Sequence, residues 1–423
     1  MEATFQKIRK YNYWDGQTFS TGFRRESYLQ KIQKFIGNKL VKVIVGQRRT
    51  GKSYVLRQIM DFLINNQGVN PLNIFYLNKE FTAFDEINAA EKLEALFDFY
   101  KSNLQVTGKI YLFLDEIQNI KEWERFVNSY SQDFTAEYEI FVTGSNSTLL
   151  SGELSTLLSG RYVEFEIFPF SLTEFAVYFD REVNKDLFLD YLKMGGLPEM
   201  LNFTDEEIRA HYVEDLKNTI ILRDIVRRKQ VKDIKLFEDI LKFITLNIGN
   251  LTSLLAIVKF FKSKQIKTNY ETLSTYVGHL LETFVVHEVQ RYDVRGKQAL
   301  GGINKYYLND LAFKNYIFGF YPTDLGYHLE NFVFLHLKRA GYRVSVGVLN
   351  QQEIDFIAEK ADKKIYLQVA WLLDKPETVE REYGNLLSVK DNYEKWVVSM
   401  DDVKFSDYQG IKHCRPWEVL QDL

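Results

Sequence analysis

The run GQRRTGKS at residues 46–53 constrains this chain more than any other feature. It fits G-x-x-x-x-G-K-[ST] at Gly46, Gly51, Lys52 and Ser53. That pattern becomes specific only where a strand precedes it and a helix follows. Both conditions hold: LVKVIV is a short β-branched run before it, and SYVLRQIMDFLINN carries helical spacing after it. The glycines let the backbone curl so that successive N–H groups converge on an anion, and the helix N-terminus adds partial positive charge. The expectation is a phosphate cradle built by Gly46, Gln47, Arg48, Arg49, Thr50, Gly51, Lys52 and Ser53, with Tyr54 beside it. ATP is the expected ligand, with Lys52 at its β- and γ-phosphates and Ser53 on Mg²⁺. Arg48 and Arg49 are also candidates for contact with a neighbouring domain or subunit.

A companion signal lies downstream. IYLFLDE is an apolar strand that ends on Asp115 and Glu116. Asp115 is the expected second holder of Mg²⁺, and Glu116 the group that orients or deprotonates an attacking water. FVTGSN ends the next strand, so Ser145 or Asn146 is expected near the γ-phosphate. Arg161, in LLSGRY, is a candidate for the arginine that stabilises transition-state charge. Arg223 and Asp224 read more simply as neighbours on a helix surface.

At 423 residues the chain exceeds what one core usually serves. The net charge of −3 excludes a uniformly basic nucleic-acid binder but not a local basic patch. The 15% aromatic content reads as aromatic-rich cores. A single cysteine, Cys414, fits a reducing cytoplasm. The N-terminus has no apolar core of a signal peptide, and no apolar run reaches membrane-spanning length.

LVKVIV, NIFYLN, KIYLFLDE and EIFVTGS alternate with helical stretches, which predicts an α/β parallel-sheet domain over residues 1–170. Residues 171–235 read as a helical, lid-like segment punctuated by GGLP. Residues 236–320 read helix, turn, helix, then a hairpin: TSLLAIVKFFKSK, NYETLSTYVGHLLETF, VVHEVQRYD, the turn VRGKQALGG, and NKYYLND. That is the pattern of a winged helix-turn-helix. Residues 321–423 read in the order αβββαβ.

GQRRTGKS, YLFLDEIQNI, VTGSNSTLL, LSGRYVEFEIFPFSLTEF, GGLPE and LRDIVRR occur here in one order. In that order they resemble a family of bacterial and archaeal AAA-type P-loop ATPases with a C-terminal domain of unknown function. The late stretches KYYLND, HLENFVF, QQEIDFIA and LQVAWLL resemble its C-terminal part. The resemblance implies an AAA-type core, a helical segment, a winged helix and a restriction-endonuclease-like end domain. It implies architecture better than biological role.

Two questions follow for the second half. Lys259, Lys262, Lys264 and Lys267 cluster in the helix-turn-helix, with Arg291, Arg295 and Lys297 near the hairpin turn. With Asn269, Tyr270 and Thr272 opening the second helix, these are candidates for contact with DNA through phosphates. The end domain has the order of the PD-(D/E)xK nuclease core, whose acids hold Mg²⁺ and whose lysine supports water attack. Glu330, Glu353 and Asp355 supply acids, but Gln368-Val369-Ala370 stands where E-x-K is expected. Gln368 is left as a weak amide ligand, and Lys363 or Lys364 as a lysine that has moved. The expectation is a nuclease-inactive domain on a nucleotide-driven switch, with an unknown protein partner and a homo-oligomer in view. An ATP-gated nuclease and a nucleotide-binding scaffold are the alternatives.

Overall fold

The computed structural model describes residues 1–150, 158, 160–350, 352–402 and 408–419, without the side chains at 148, 150, 222, 223 and 227. The chain divides into two compact units, residues 1–167 and 168–423.

The first unit is built on a five-stranded sheet. Its strands are β1 (Val41–Val45), β2 (Ile74–Asn78), β3 (Ile110–Asp115), β4 (Tyr138–Gly144) and β5 (Tyr162–Glu166). The order is β2-β3-β4-β1-β5, and every pairing is parallel. A parallel sheet is covered on both faces, so its strands read as nearly continuous apolar runs. β1 and β2 are buried throughout. The charged exception in β1, Lys42, is fully buried and paired with Glu139 of β4.

Helix Lys52–Gln67 packs Val55, Leu56, Ile59 and Leu63 onto one face with Leu29, Ile32, Phe113 and Phe141. On the other face Phe75, Phe97 and Tyr100 make an aromatic cluster with Trp14. The N-terminal segment also covers the free edge of β2. Asn12 exchanges two hydrogen bonds with the Tyr76 backbone, at 2.7 and 2.9 Å, and Trp14 Nε1 donates to Ile74 O at 2.7 Å. An uncovered edge would offer its backbone groups to another chain.

The second unit opens with helices Leu172–Tyr178, Lys185–Met194 and Glu206–Thr219, followed by a π-helical segment, Ile220–Val226. Gly195 and Gly196 make a close joint within this unit. The Gly196 N–H donates to Asp310 Oδ2 at 2.7 Å, and a Cβ on Gly195 would lie 2.0 Å from Asp310 Oδ1. Helices Ile234–Leu246, Leu254–Ser263 and Tyr270–Glu282 then lead into β6 (Val286–Asp293) and β7 (Gln298–Leu308), and Thr252 bridges to Asn304 of β7. Side chains cap all three of these helices: Asp233 accepts from the Leu236 N–H, Ser253 from the Ala256 N–H, and Asn269 from the Thr272 N–H.

Helix Leu325–Arg339, β8 (Arg343–Leu349), β9 (Gln352–Lys360), β10 (Lys363–Val369), helix Pro376–Leu387 and β11 (Glu394–Val398) give the expected αβββαβ order, and β12 (Lys412–Cys414) adds an edge. The hairpin does not stand apart. The sheet runs β12-β11-β10-β9-β8-β6-β7, with β6 parallel to β8 over residues 291–293. Residues 298–302, expected in the turn, belong to β7 instead, because Gln298, Ala299 and Leu300 pair across to β6. Among the described residues no helix is long and apolar enough to cross a membrane.

Candidate functional site

β1 ends at Gly46, whose φ is +144°. A Cβ there would lie 2.3 Å from the Ile167 carbonyl oxygen, so the close approach of the chain leaving β5 demands glycine. Arg49 has φ +68°, and Gly51, at +97°, is the N-cap of helix Lys52–Gln67. Two contacts brace the loop: Thr50 Oγ1 donates to Gln47 O at 2.9 Å, and Arg25 Nη1 to Thr50 O at 3.1 Å. Lys52 is only 5% exposed. Its Nζ donates to Gly46 O at 3.0 Å and Gln47 O at 3.2 Å, and stands 3.6 Å from Glu116 Oε1.

The strand order puts the end of β4 between the loop and the acids. Asp115 is fully buried. Its Oδ2 accepts from Tyr76 OH and Asn78 Nδ2, both at 3.0 Å, and its Oδ1 from Thr143 Oγ1. The Ser53 hydroxyl also favours the ionised form of the Asp115 carboxyl. Burial, with Glu116 adjacent, pushes the Asp115 carboxyl above its ordinary range.

Glu116 sits in the left-handed region at φ +54°, and its N–H donates to Thr143 Oγ1 at 2.9 Å. Its Oε2 accepts from Ser145 Oγ at 3.0 Å and from Gln118 Nε2. Burial would raise the Glu116 carboxyl. Lys52, Gln118, Arg48 and Ser145 overcome it and hold the group below the usual value. The two neighbouring acids are thus driven apart, Asp115 upward and Glu116 downward.

The structure therefore brings Lys52, Ser53, Asp115, Glu116 and Ser145 together. Asn146 is buried beside them in sequence. Arg48 is buried and paired with Glu80, and Arg49 is exposed. Tyr54 is 43% exposed, with the Arg57 guanidinium 4.2 Å from its ring centroid. Arg161 is not brought to the loop. It is exposed before β5, and its carbonyl accepts from the Val41 N–H at the opening of β1. β1 runs from there to the loop, so Arg161 lies roughly 16 Å away at ~3.3 Å per residue. The linking stretch 151–157 and the Arg223 side chain lie outside the described residues. Asp224 is buried, with Arg228 Nη2 at 3.8 Å.

In the second unit Lys259, Lys262, Lys264, Lys267, Asn269, Tyr270, Arg295 and Lys297 are all exposed. Lys262 lies in the last turn of helix Leu254–Ser263, and Asn269 caps the next helix. Arg291 instead turns back along the hairpin, with Nε on Ile303 O at 3.2 Å.

The acids of the end domain do converge, but on a lysine from β7. Lys305 Nζ lies 2.7 Å from Glu353 Oε1, 2.8 Å from Glu330 Oε1 and 3.6 Å from Asp355 Oδ1. Tyr307 OH donates to the same Glu330 oxygen at 2.6 Å. Burial would lower the Lys305 ammonium, yet Glu330, Asp355 and Glu353 hold it above the ordinary lysine value. Burial pushes Asp355 well up, with Lys305 opposing. Gln368 corrects an expectation: its Oε1 accepts from the Asp355 N–H and its Nε2 donates to Glu382 Oε2, both at 2.7 Å. That amide oxygen is committed to the backbone. Lys363 and Lys364 stay at the other end of β10, where they pair across to Lys360 and Glu359.

Sequence reasoning passed over Thr143, Tyr76, Asn78 and Lys305. Thr143 and Asn78 had a usable signal, since they lie at the ends of apolar strands of a parallel sheet, where its site forms; Tyr76, in mid-strand, had none. Lys305 had none, because its partners arrive from elements far along the chain.

A family model described as an AAA domain matches residues 38–176, and one described as a domain of unknown function (DUF8612) matches residues 185–324. An uncharacterized protein of Haemophilus influenzae is 38% identical over 393 residues, covering 92% of this chain and 96% of that protein. An uncharacterized protein of Methanocaldococcus jannaschii is 30% identical over 367 residues, covering 82% and 78%. The solved Aeropyrum pernix ORC1 protein in complex with DNA aligns at 15% identity and a TM-score of 0.30, over 69% of this chain and 91% of that one. A likeness that low carries no argument about this chain.

Proposed function

The chain belongs to a bacterial and archaeal family that joins an AAA-type P-loop domain to a C-terminal domain of unknown function, and from that membership we propose that it binds MgATP at residues 46–53 and hydrolyses it as a molecular switch. The observation that carries this is Lys52, buried beside Glu116 and held otherwise by two backbone carbonyls. A lysine so held exchanges neutral dipoles for phosphate oxygens when an anion arrives. Ser53 and Asp115 offer the hard oxygen donors that suit Mg²⁺. The bound ion supplies charge neutralisation at the phosphates.

The chain's own groups do the rest. Lys52 contacts the β- and γ-phosphates. Glu116, kept ionised, orients the attacking water and takes its proton as the water oxygen bonds to the γ-phosphorus and the bridge to ADP breaks. Ser145, already on Glu116 Oε2, couples the end of β4 to that carboxylate, and Asn146 is the neighbouring reader of the γ-phosphate. The test is phosphate release by the purified full chain. No release above background with MgATP, together with no binding of a fluorescent ATP analogue, sinks the proposal.

A second reading concerns nucleic acid. The three helices, the Thr252–Asn304 bridge and the β6–β7 hairpin support a winged helix, and its exposed lysines suit phosphate contact. On this reading nucleotide state sets whether the second unit engages DNA. Binding of duplex or single-stranded DNA at low salt, with and without ATP, tests it, and no binding in either condition ends it.

A further inference from the structure

The αβββαβ order with Glu330, Glu353 and Asp355 implies a divalent-metal centre, and the residues present do not fit one. We infer that Lys305 is the resident cation of this carboxylate centre, standing where a divalent ion would otherwise sit and excluding it. The inference is independent of the ATPase reading.

Three carboxylates from two elements, helix Leu325–Arg339 and β9, aim at one point, and the ammonium from β7 is at that point. The 2.8 Å contact to Glu330 is a direct charge-assisted hydrogen bond, and Glu353 is in ion-pair contact at 2.7 Å. A Mg²⁺ ion takes such oxygens at about 2.1 Å and Ca²⁺ at about 2.3–2.6 Å. Sharing Glu330 Oε1 and Glu353 Oε1 with Lys305 would press two cations together across the same oxygens. Other lone pairs are committed too: Glu330 Oε1 also accepts from Tyr307, and Asp355 Oδ2 accepts from the Val369 N–H at 2.8 Å. Gln368 cannot replace them, because both ends of its amide are used. Among the described residues no group of three or more His, Cys, Asp and Glu is arranged to hold a metal. Lys305 cannot readily swing clear. It sits in β7 opposite Val289 of β6, and its side chain is 4% exposed.

The experiment is Mn²⁺ binding to the nucleotide-free full chain, followed by electron paramagnetic resonance and calorimetry. Wild type and Asp355→Asn should take up the same Mn²⁺, since any ion at Asp115 is common to both. Lys305→Ala should gain an extra equivalent that Lys305→Ala/Asp355→Asn loses again. Uptake by wild type that depends on Asp355 overturns the inference, as does a folded Lys305→Ala that gains nothing. Mn²⁺-dependent cutting of duplex or branched DNA by wild type, lost in Asp355→Ala, overturns it as well. If Lys305→Ala does not fold in chelator, refolding with Mn²⁺ supports the inference. Failure with Mn²⁺ too, together with failure of the charge-balanced Lys305→Met/Glu353→Gln, overturns it.

Discussion

Lys52 and Lys305 are nearly equally buried, at 5% and 3% exposure, and each faces carboxylates. They differ in what holds them. Lys52 rests on two carbonyl oxygens at 3.0 and 3.2 Å and has its one acid at 3.6 Å. Lys305 is in direct contact with two carboxylates and close to a third. A carbonyl dipole is exchanged cheaply for a phosphate oxygen, whereas a buried ion pair is not broken cheaply from either side. On the proposed reading, one unit leaves the counter-charge of its lysine to a ligand. The other has built it in. Burial of a cation therefore does not mark a ligand site by itself, and the partner list decides.

The sharpest way to break this contrast is to remove each lysine. Lys52→Ala should abolish nucleotide binding and bring phosphate release to background while the fold stays intact. The loop loses a charge that no neighbouring backbone group replaces. Retained turnover would mean that Lys52 is as structural as Lys305. Conversely, Lys305→Ala should leave the first unit's ATP turnover near wild type but destabilise the second by about 3–5 kcal/mol in urea unfolding, the usual cost of orphaning a buried charge. Equal stability would show that Glu330 and Glu353 do not need their cation.

Acid separates the units by a second route. All six histidines lie in the second unit. His287 and His328 are pushed down to about 4 and His336 to about 3, chiefly by burial. Neutral in the fold and ordinary when unfolded, each contributes stability that is complete above pH ~6.5 and is lost as pH falls toward 4. Between pH 7 and pH 5 that is about 2 kcal/mol each. Asp310 opposes them. Burial raises it to about 6, so its protonation favours the fold in the same window, by about 1 kcal/mol. Three histidines outweigh Asp310, while Asp355, which burial also raises, opposes them in the same direction. Hydrogen exchange at pH 5 against pH 7 should show protection falling in the second unit first. Uniform loss would place the acid sensitivity elsewhere.

Glu116→Gln probes the open side of the contrast. It should keep nucleotide bound and slow phosphate release by roughly 10²-fold, the scale expected for loss of a general base. Normal turnover would reduce Glu116 to a charge partner of Lys52.

How much of this was legible follows the range of each interaction. The proposed phosphate loop and Asp115–Glu116 are local motifs, each on a strand followed by a turn, so their places in the fold could be read directly. Their juxtaposition could not, because it depends on β4 lying between β1 and β3, which is a tertiary fact. Arg161 looked catalytic from its neighbours in sequence, but its register with Val41 sends it to the opposite end of the sheet. The hairpin was legible as two strands and a turn, yet nothing local announced that β6 would pair with β8. Lys305 is the clearest case. NKYYLND reads as an ordinary alternating strand, and a lysine in it reads as solvated. Its burial is set by acids that come together only when helix Leu325–Arg339 and β9 are in place.

The exposed lysines complete the contrast, and they carry the smallest expected effect. Lys262, Lys264 and Lys267 face water, so their counter-charge is mobile salt, neither built in nor reserved for one ligand. If they meet duplex DNA, each phosphate they neutralise releases condensed counterions, and affinity falls with salt at a slope of about −0.9 per contact. Replacing all three with Ala should weaken binding and flatten the slope of log affinity against log salt by about 2–3. Phosphate release without DNA should be unchanged. The slope is the better readout, since a misfolded helix would lower affinity at every salt concentration without changing the count of released ions in this way. An unchanged slope with intact affinity would move the contact elsewhere, to Lys259 and to Arg295 and Lys297 on the β6–β7 turn first, because they are the other exposed cations of the same candidate surface.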